Sequence, residues 1–139
     1  ISKIIKKEMD CIYLGNLDAK RDWGHAKDYV YAMWLMLQQD NAKDYVISSD
    51  RTTSVREFLE KCFKYVNIDI EWIGEGEEEI GINTANKDVL VRIDKKYYRP
   101  TEVNLLLGDS SLARKELNWK PQYNLDSLIK EMMDYDLSL

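Results

Sequence analysis

An α/β chain of helices interleaved with short strands is predicted by three features of the sequence. Apolar residues recur at spacings of three and four over two long stretches, apolar and polar residues alternate over two shorter ones, and helix-capping residues stand at the boundaries between them. The chain has 139 residues, 45% of them hydrophobic, with four Trp, nine Tyr and two Phe, which is material for one folded body with a core. Twenty Lys and Arg against 25 Asp and Glu give a net charge of −5, the wrong sign for non-specific nucleic-acid binding. Cys11 and Cys62 stand far apart with no CxxC spacing, and His25 has no second imidazole to join it at a zinc ion, so a reduced, metal-free, cytoplasmic protein is expected. No apolar run approaches the roughly 18 residues of a membrane span.

The elements follow in order. Residues 1–9 place Ile1, Ile4 and Ile5 on one side and lysines elsewhere, a short helix already under way at Ile1, as in the tail of a longer chain. A strand follows over 11–15. Ala26, Val30, Met33, Trp34 and Leu37 then mark the inward face of a helix over 24–39. Residues 45–48 have the character of a short buried strand. Ser54 and Glu57 form a capping box ahead of a helix to about Tyr65, with Phe58, Leu59, Cys62 and Phe63 on its core face. Cys62 there is a small hydrophobe rather than a reactive thiol. Ile68, Ile70 and Trp72 alternate with acids as a strand, residues 74–87 form a solvated loop, and Val89, Val91 and Ile93 form another strand. Pro100 breaks the chain after it. Two helices close the sequence, one capped near Ser110 and one capped at Asn124 with Leu125, Leu128, Ile129 and Met132 inward.

The familiar self-contained catalytic motifs are missing. There is no GxxxxGK[ST], HExxH or GxSxG, and no Tyr followed four residues later by Lys. Gly74-Glu75-Gly76 begins like a phosphate-cradling turn but has Glu79 in place of the third glycine, and nearby carboxylates would repel a pyrophosphate. Two motifs remain. Arg21-Asp22-Trp23-Gly24-His25 stands at the mouth of a helix, and Tyr97-Tyr98-Arg99-Pro100-Thr101-Glu102 stands in a proline-marked loop. Each sets a guanidinium on irregular backbone beside aromatics, an arrangement suited to bidentate phosphate contact. Taken singly, either arginine reads first as an ordinary surface ion pair, for example Arg21 with Asp18 or Asp28. His25 is a conceivable general base.

Longer strings narrow the reading. LGNLDAKRDWGHAKDYV (14–30) with AMWLMLQ (32–38), then TSVREF (53–58), YRPTEV (98–103), LLGD (106–109) and LNWKP (117–121) closely resemble the GDP-mannose 4,6-dehydratases, in order and along nearly the whole chain. That family lies among the extended short-chain dehydrogenase/reductases. The resemblance is to the C-terminal, substrate-binding part alone, without the N-terminal Rossmann half that binds NADP and carries the catalytic Thr or Ser, Glu and Tyr-x-x-x-Lys.

It implies a lyase that converts GDP-mannose to GDP-4-keto-6-deoxymannose on the way to GDP-fucose, assembled as dimers or tetramers, with this part inactive by itself. It further implies that Arg21 and Arg99 clamp the GDP diphosphate, that Glu102 accepts from ribose hydroxyls, and that Gly15, Asn16, Leu17 and Ala19 line the base and ribose. Arg56 has no clear assignment, since at the second position of a capped helix it would face water. The acidic stretch around Glu75, Glu77, Glu78 and Glu79 departs from the family pattern. A related GDP-sugar reductase or epimerase, or a non-catalytic module binding a protein through its Tyr-rich or Glu-rich surfaces, are the alternatives.

Overall fold

A computed structural model describes residues 1–98, 103 and 105–139. In chain order it has helix α1 (Ser2–Ile5), strands β1 (Ile12–Leu14) and β2 (Lys20–Arg21), helix α2 (Ala26–Leu37), strand β3 (Thr53–Ser54) and helix α3 (Val55–Tyr65). Strands β4 (Ile70–Ile73), β5 (Ile80–Asn83) and β6 (Val89–Ile93) follow, then helices α4 (Ser111–Leu117) and α5 (Leu125–Ser138). None of the helices among the described residues is long and apolar enough to cross a membrane.

Strands β4, β5 and β6 form an antiparallel meander, and β1 adds to its far side parallel to β6, giving the order β1-β6-β5-β4. Helix α3 covers this sheet. Leu59 and Phe63 from the helix meet Leu90 and Val91 from β6, and Leu17 closes the cluster. The next face of α3 presents Cys62 to Ile129 and Met133 of α5. A third cluster joins Ala32 of α2 to Ala113, Leu117 and Trp119. Trp119 is wholly buried and its indole N–H donates to the Asp28 carbonyl at 3.0 Å. The buried Asp28 carboxylate accepts the backbone N–H groups of Gln122 and Tyr123, so a single acid in the first turn of α2 ties down the chain between α4 and α5. The turn itself begins with Asn118 in the left-handed conformation at the end of α4, a place where Asn is tolerated.

Five expectations about the elements need correction. Residues 45–48 form no strand, because a strand needs a ladder and the described sheets offer them none. Tyr45 and Ile47 instead lean on the Ala32 cluster, and Ser48 Oγ lies 2.9 Å from the Gly108 carbonyl. The stretch 74–87 is not all loop. A 3-10 turn at Gly76–Glu78 leads into β5, whose Ile80 and Ile82 alternate over too few residues to stand out beside four glutamates. In α2 the face carrying Val30, Met33, Trp34 and Leu37 is not inward: these are 62%, 60%, 53% and 81% exposed, while Asp28 and Ala32 are buried. In α5 Ile129 is inward as expected, with Leu125 packed beside it, but Met132 is half exposed and Met133 takes the buried place. Helix α1 is also shorter than its pattern, and the break expected at Arg99-Pro100 lies outside the described residues.

Two outcomes are expected. Phe63→Ala should lower unfolding free energy by about 3–5 kcal/mol in urea titration, the cost of emptying a fully packed aromatic site; a loss under about 1 kcal/mol would contradict its place in the core. Burial pushes the Cys62 thiol up to about 11, so at pH 8 it stays protonated. Iodoacetamide followed by mass spectrometry should therefore mark the half-buried Cys11 first and reach Cys62 only on unfolding; equal labelling of the folded chain would contradict this.

Candidate functional site

Residues 15–21 leave β1 and pass across the N-terminus of α3. A Cβ at Gly15 would collide with the Tyr97 carbonyl, so glycine is what lets this backbone press against the 97–98 backbone. Asn16 Oδ1 then accepts the Asp18 N–H at 2.9 Å, closing a tight turn. Leu17 and Ala19 point inward at 3% and 1% exposure, and Asp18 and Lys20 point out. With their side chains in the core, Leu17 and Ala19 present only backbone to any ligand.

Their carbonyls are committed as well. The first N–H groups of a helix have no partner inside it, and here Val55 N–H donates to the Ala19 carbonyl at 3.2 Å and Arg56 N–H to the Leu17 carbonyl at 2.9 Å. Glu57 N–H donates to Ser54 Oγ at 3.1 Å. Only this bond of the expected capping box forms, because the Ser54 backbone lies in the β2–β3 ladder opposite Lys20.

Arg21 follows directly. Its Nη1 donates to the Lys20 carbonyl at 2.8 Å and to the Val103 carbonyl at 2.9 Å, and Lys20 pairs with Leu105 in an isolated parallel bridge. The 15–21 segment thus meets the later part of the chain at Tyr97, at Val103 and at Leu105. Arg99 and Glu102, between those two points in sequence, lie outside the described residues.

Beside Arg21 a cleft of about 390 Å³ is bounded by Asp22, Tyr29, Ser48, Leu106 and Leu107. Burial pushes the Tyr29 hydroxyl up, with Asp22 and Asp28 adding to it, so it remains a neutral donor. Asp22 is held in place by the Ser49 N–H at 2.7 Å. A guanidinium and a hydroxyl set against apolar walls can receive phosphate or carboxylate oxygens.

The other motif residues have structural partners. His25 Nδ1 accepts the Lys27 N–H at 3.1 Å and so caps α2; its Nε2 lies 3.1 Å from Glu131 Oε2, and the ring stacks on Tyr123 with centroids 3.9 Å apart. With both ring nitrogens engaged and 7% exposure, His25 holds α2 to α5. Trp23 stacks on Phe58 and donates to the Thr53 carbonyl at 2.9 Å. Arg56 does not face water. It is forked onto Glu79, reaches Asp18, and lies over the Trp72 ring. Through Arg56 the unassigned acidic stretch is linked to the 15–19 segment.

Sequence reasoning did not find a second cleft, of about 670 Å³, between Trp23, the 49–53 loop and the start of α5. Arg51, Arg114, Lys120 and Tyr123 line it, with Arg114 paired to Asp50 and Lys61 to Asp126. None of Gly15, Asn16, Leu17, Ala19 and Arg21 reaches it. Its cations come from four separate segments, so no local pattern announces it.

Comparison with known proteins supplies what geometry alone does not. The family model described as GDP-mannose 4,6 dehydratase matches residues 1–132. The GDP-mannose 4,6 dehydratases of Drosophila melanogaster and Homo sapiens are each 51% identical over all 139 residues, and that of Dictyostelium discoideum is 54% identical over 128. The chain spans 35–37% of the length of these relatives.

Among solved structures, RMD from Pseudomonas aeruginosa complexed with NADPH superposes on 99% of the chain with a TM-score of 0.75 at 15% identity, using 39% of its own length. The dTDP-glucose 4,6-dehydratase of Bacillus anthracis in complex with NAD superposes on 96% with a TM-score of 0.69, also at 15% identity, using 36% of its length. At such identities these two establish the fold alone, which in each is one part of a longer chain. Matched from residue 1 to residue 132 and half identical to relatives from slime mould to human, the chain belongs to the GDP-mannose 4,6 dehydratase family.

Proposed function

We propose that this chain is the C-terminal, nucleotide-sugar-binding part of a GDP-mannose 4,6-dehydratase, a lyase that uses NADP to form GDP-4-keto-6-deoxymannose in the cytoplasm, on the route to GDP-fucose. Arg21 and Arg99 clamp the diphosphate, Glu102 accepts from the ribose hydroxyls, and residues 15–19 line the base and ribose through the Gly15 and Asn16 surface and the backbone of Leu17 and Ala19. The observation that carries the reading is the Arg21 bond to the Val103 carbonyl. It draws a cation from the start of the chain onto the loop that contains Arg99 and Glu102. In a chain of net charge −5, a GDP diphosphate has to be held by such local cations.

NADP does not fit the residues described here. The glycine turn at 74–79 is ringed by glutamates, of which Glu77 pairs with Lys95 and Glu79 with Arg56, and it presents carboxylates where a pyrophosphate needs backbone N–H groups. The cofactor and the catalytic groups belong to a separate Rossmann half, through which the intact enzyme assembles as dimers or tetramers. The uncovered apolar face of α2 supports the presence of such a second body against this one, since apolar patches of that kind mark contact surfaces.

In a polypeptide that joins this chain to its NADP-binding half, Arg21→Ala and Arg99→Ala should each weaken GDP-mannose binding by about 1.5–3 kcal/mol, as for a charged hydrogen bond. Titration calorimetry measures it. Unchanged affinity in either variant would remove that arginine from the site, and absence of a 4-keto product from the unmodified protein with GDP-mannose and NADP would overturn the activity.

A further inference from the structure

We propose that Arg56 is a positioning residue for the nucleotide-binding segment, acting through Asp18 and braced by Glu79; this rests on the reading that residues 15–19 contact the nucleotide. Four residues meet at Arg56, three of them at its side chain. Its backbone N–H donates to the Leu17 carbonyl at 2.9 Å, and its Nε donates to Asp18 Oδ1 at 3.0 Å. Nη1 and Nη2 fork onto the two oxygens of Glu79 at 2.5 and 3.0 Å, and the guanidinium lies 4.8 Å from the centre of the Trp72 ring. Trp72 is itself fixed, by a bond from its indole N–H to Glu60 at 2.7 Å and by the missing Cβ of Gly81, which leaves room for the ring.

The Arg56 and Glu79 side chains are only 22% and 12% exposed, whereas Asp18 is 75% exposed. Partly buried, bidentate and backed by an aromatic plane, the Arg56–Glu79 pair is a rigid platform. Asp18 is the outlying group that it steadies. Two bonds, one to backbone and one to side chain, fix neighbouring residues of a five-residue segment that has no ladder of its own between β1 and β2. The acidic turn ahead of β5 acquires a role by the same geometry: it delivers Glu79 to the far side of Arg56. With its donors committed to carboxylates, Arg56 is not a phosphate ligand.

The test uses the polypeptide containing both this chain and the NADP-binding half, assayed for GDP-mannose turnover. Arg56→Met and the milder Glu79→Gln should raise KM for GDP-mannose about tenfold and threefold, with kcat within twofold and with near-native circular dichroism. Arg56→Lys should fall between the unmodified protein and Arg56→Met. Asp18→Asn combined with Arg56→Met should raise KM no further than Arg56→Met alone, because both act through one bond. Unchanged KM in folded Glu79→Gln and Arg56→Lys, or equal losses in kcat and KM, would overturn the positioning role. If instead the unmodified protein neither binds nor turns over GDP-mannose, the reading beneath it has failed, and that result is separate from any of the variants.

Discussion

The candidate site hangs from the N-terminus of α3. A helix that begins at Val55 leaves its first N–H groups unpaired unless something outside it accepts them, and the carbonyls of Ala19 and Leu17 do so. That requirement draws residues 17–19 across the helix end, sets β2 beside β3, and leaves Arg21 at the Val103 carbonyl. Leu17 reinforces it from below by completing the core between α3 and the sheet. Fold stability and site geometry therefore share the same bonds. A substitution that frays the start of α3 disturbs the segment proposed to hold the nucleotide.

Charge is spent locally in this molecule. Most lysines and arginines with described partners face a carboxylate from another element: Lys43 with Glu116, Lys61 with Asp126, Arg114 with Asp50. On the surface such pairs add little to stability. Arg56 differs because it is partly enclosed and answered by two acids. Removing one member there strands the other, which is the costly direction for an enclosed pair. The packing shows a similar division. Three modest clusters are closed within the chain, while the α2 face with Trp34 and Leu37 is left uncovered.

Much of this was legible in the residues. Helix α3 was announced by a serine cap and a clean apolar stripe, and α5 by Asn124, because both signals are local and periodic. Strand β5 was hidden by its brevity and its acidic prelude, and the expected strand at 45–48 had the composition of a strand without a neighbour to pair with. The orientation of α2 could not be seen, since an apolar stripe says that a face wants cover but not whether this chain supplies it. Asp28 was invisible as an anchor because its partners, Gln122 and Tyr123, stand at the opposite end of the chain. A shorter separation, 23 positions, was enough to hide the Arg56–Glu79 pair. The arginine at position 21 is singled out by its motif, and its contact with the Val103 carbonyl needed the fold.

Amide hydrogen exchange of the protein joined to the proposed NADP-binding half, with and without GDP, addresses the convergence of the two segments most directly. Slowed exchange on adding GDP is expected at residues 15–21 and at the 97–98 and 103–105 backbone together. Protection confined to the cleft lined by Arg51 and Lys120, or protection of 15–21 without the later loop, would contradict it.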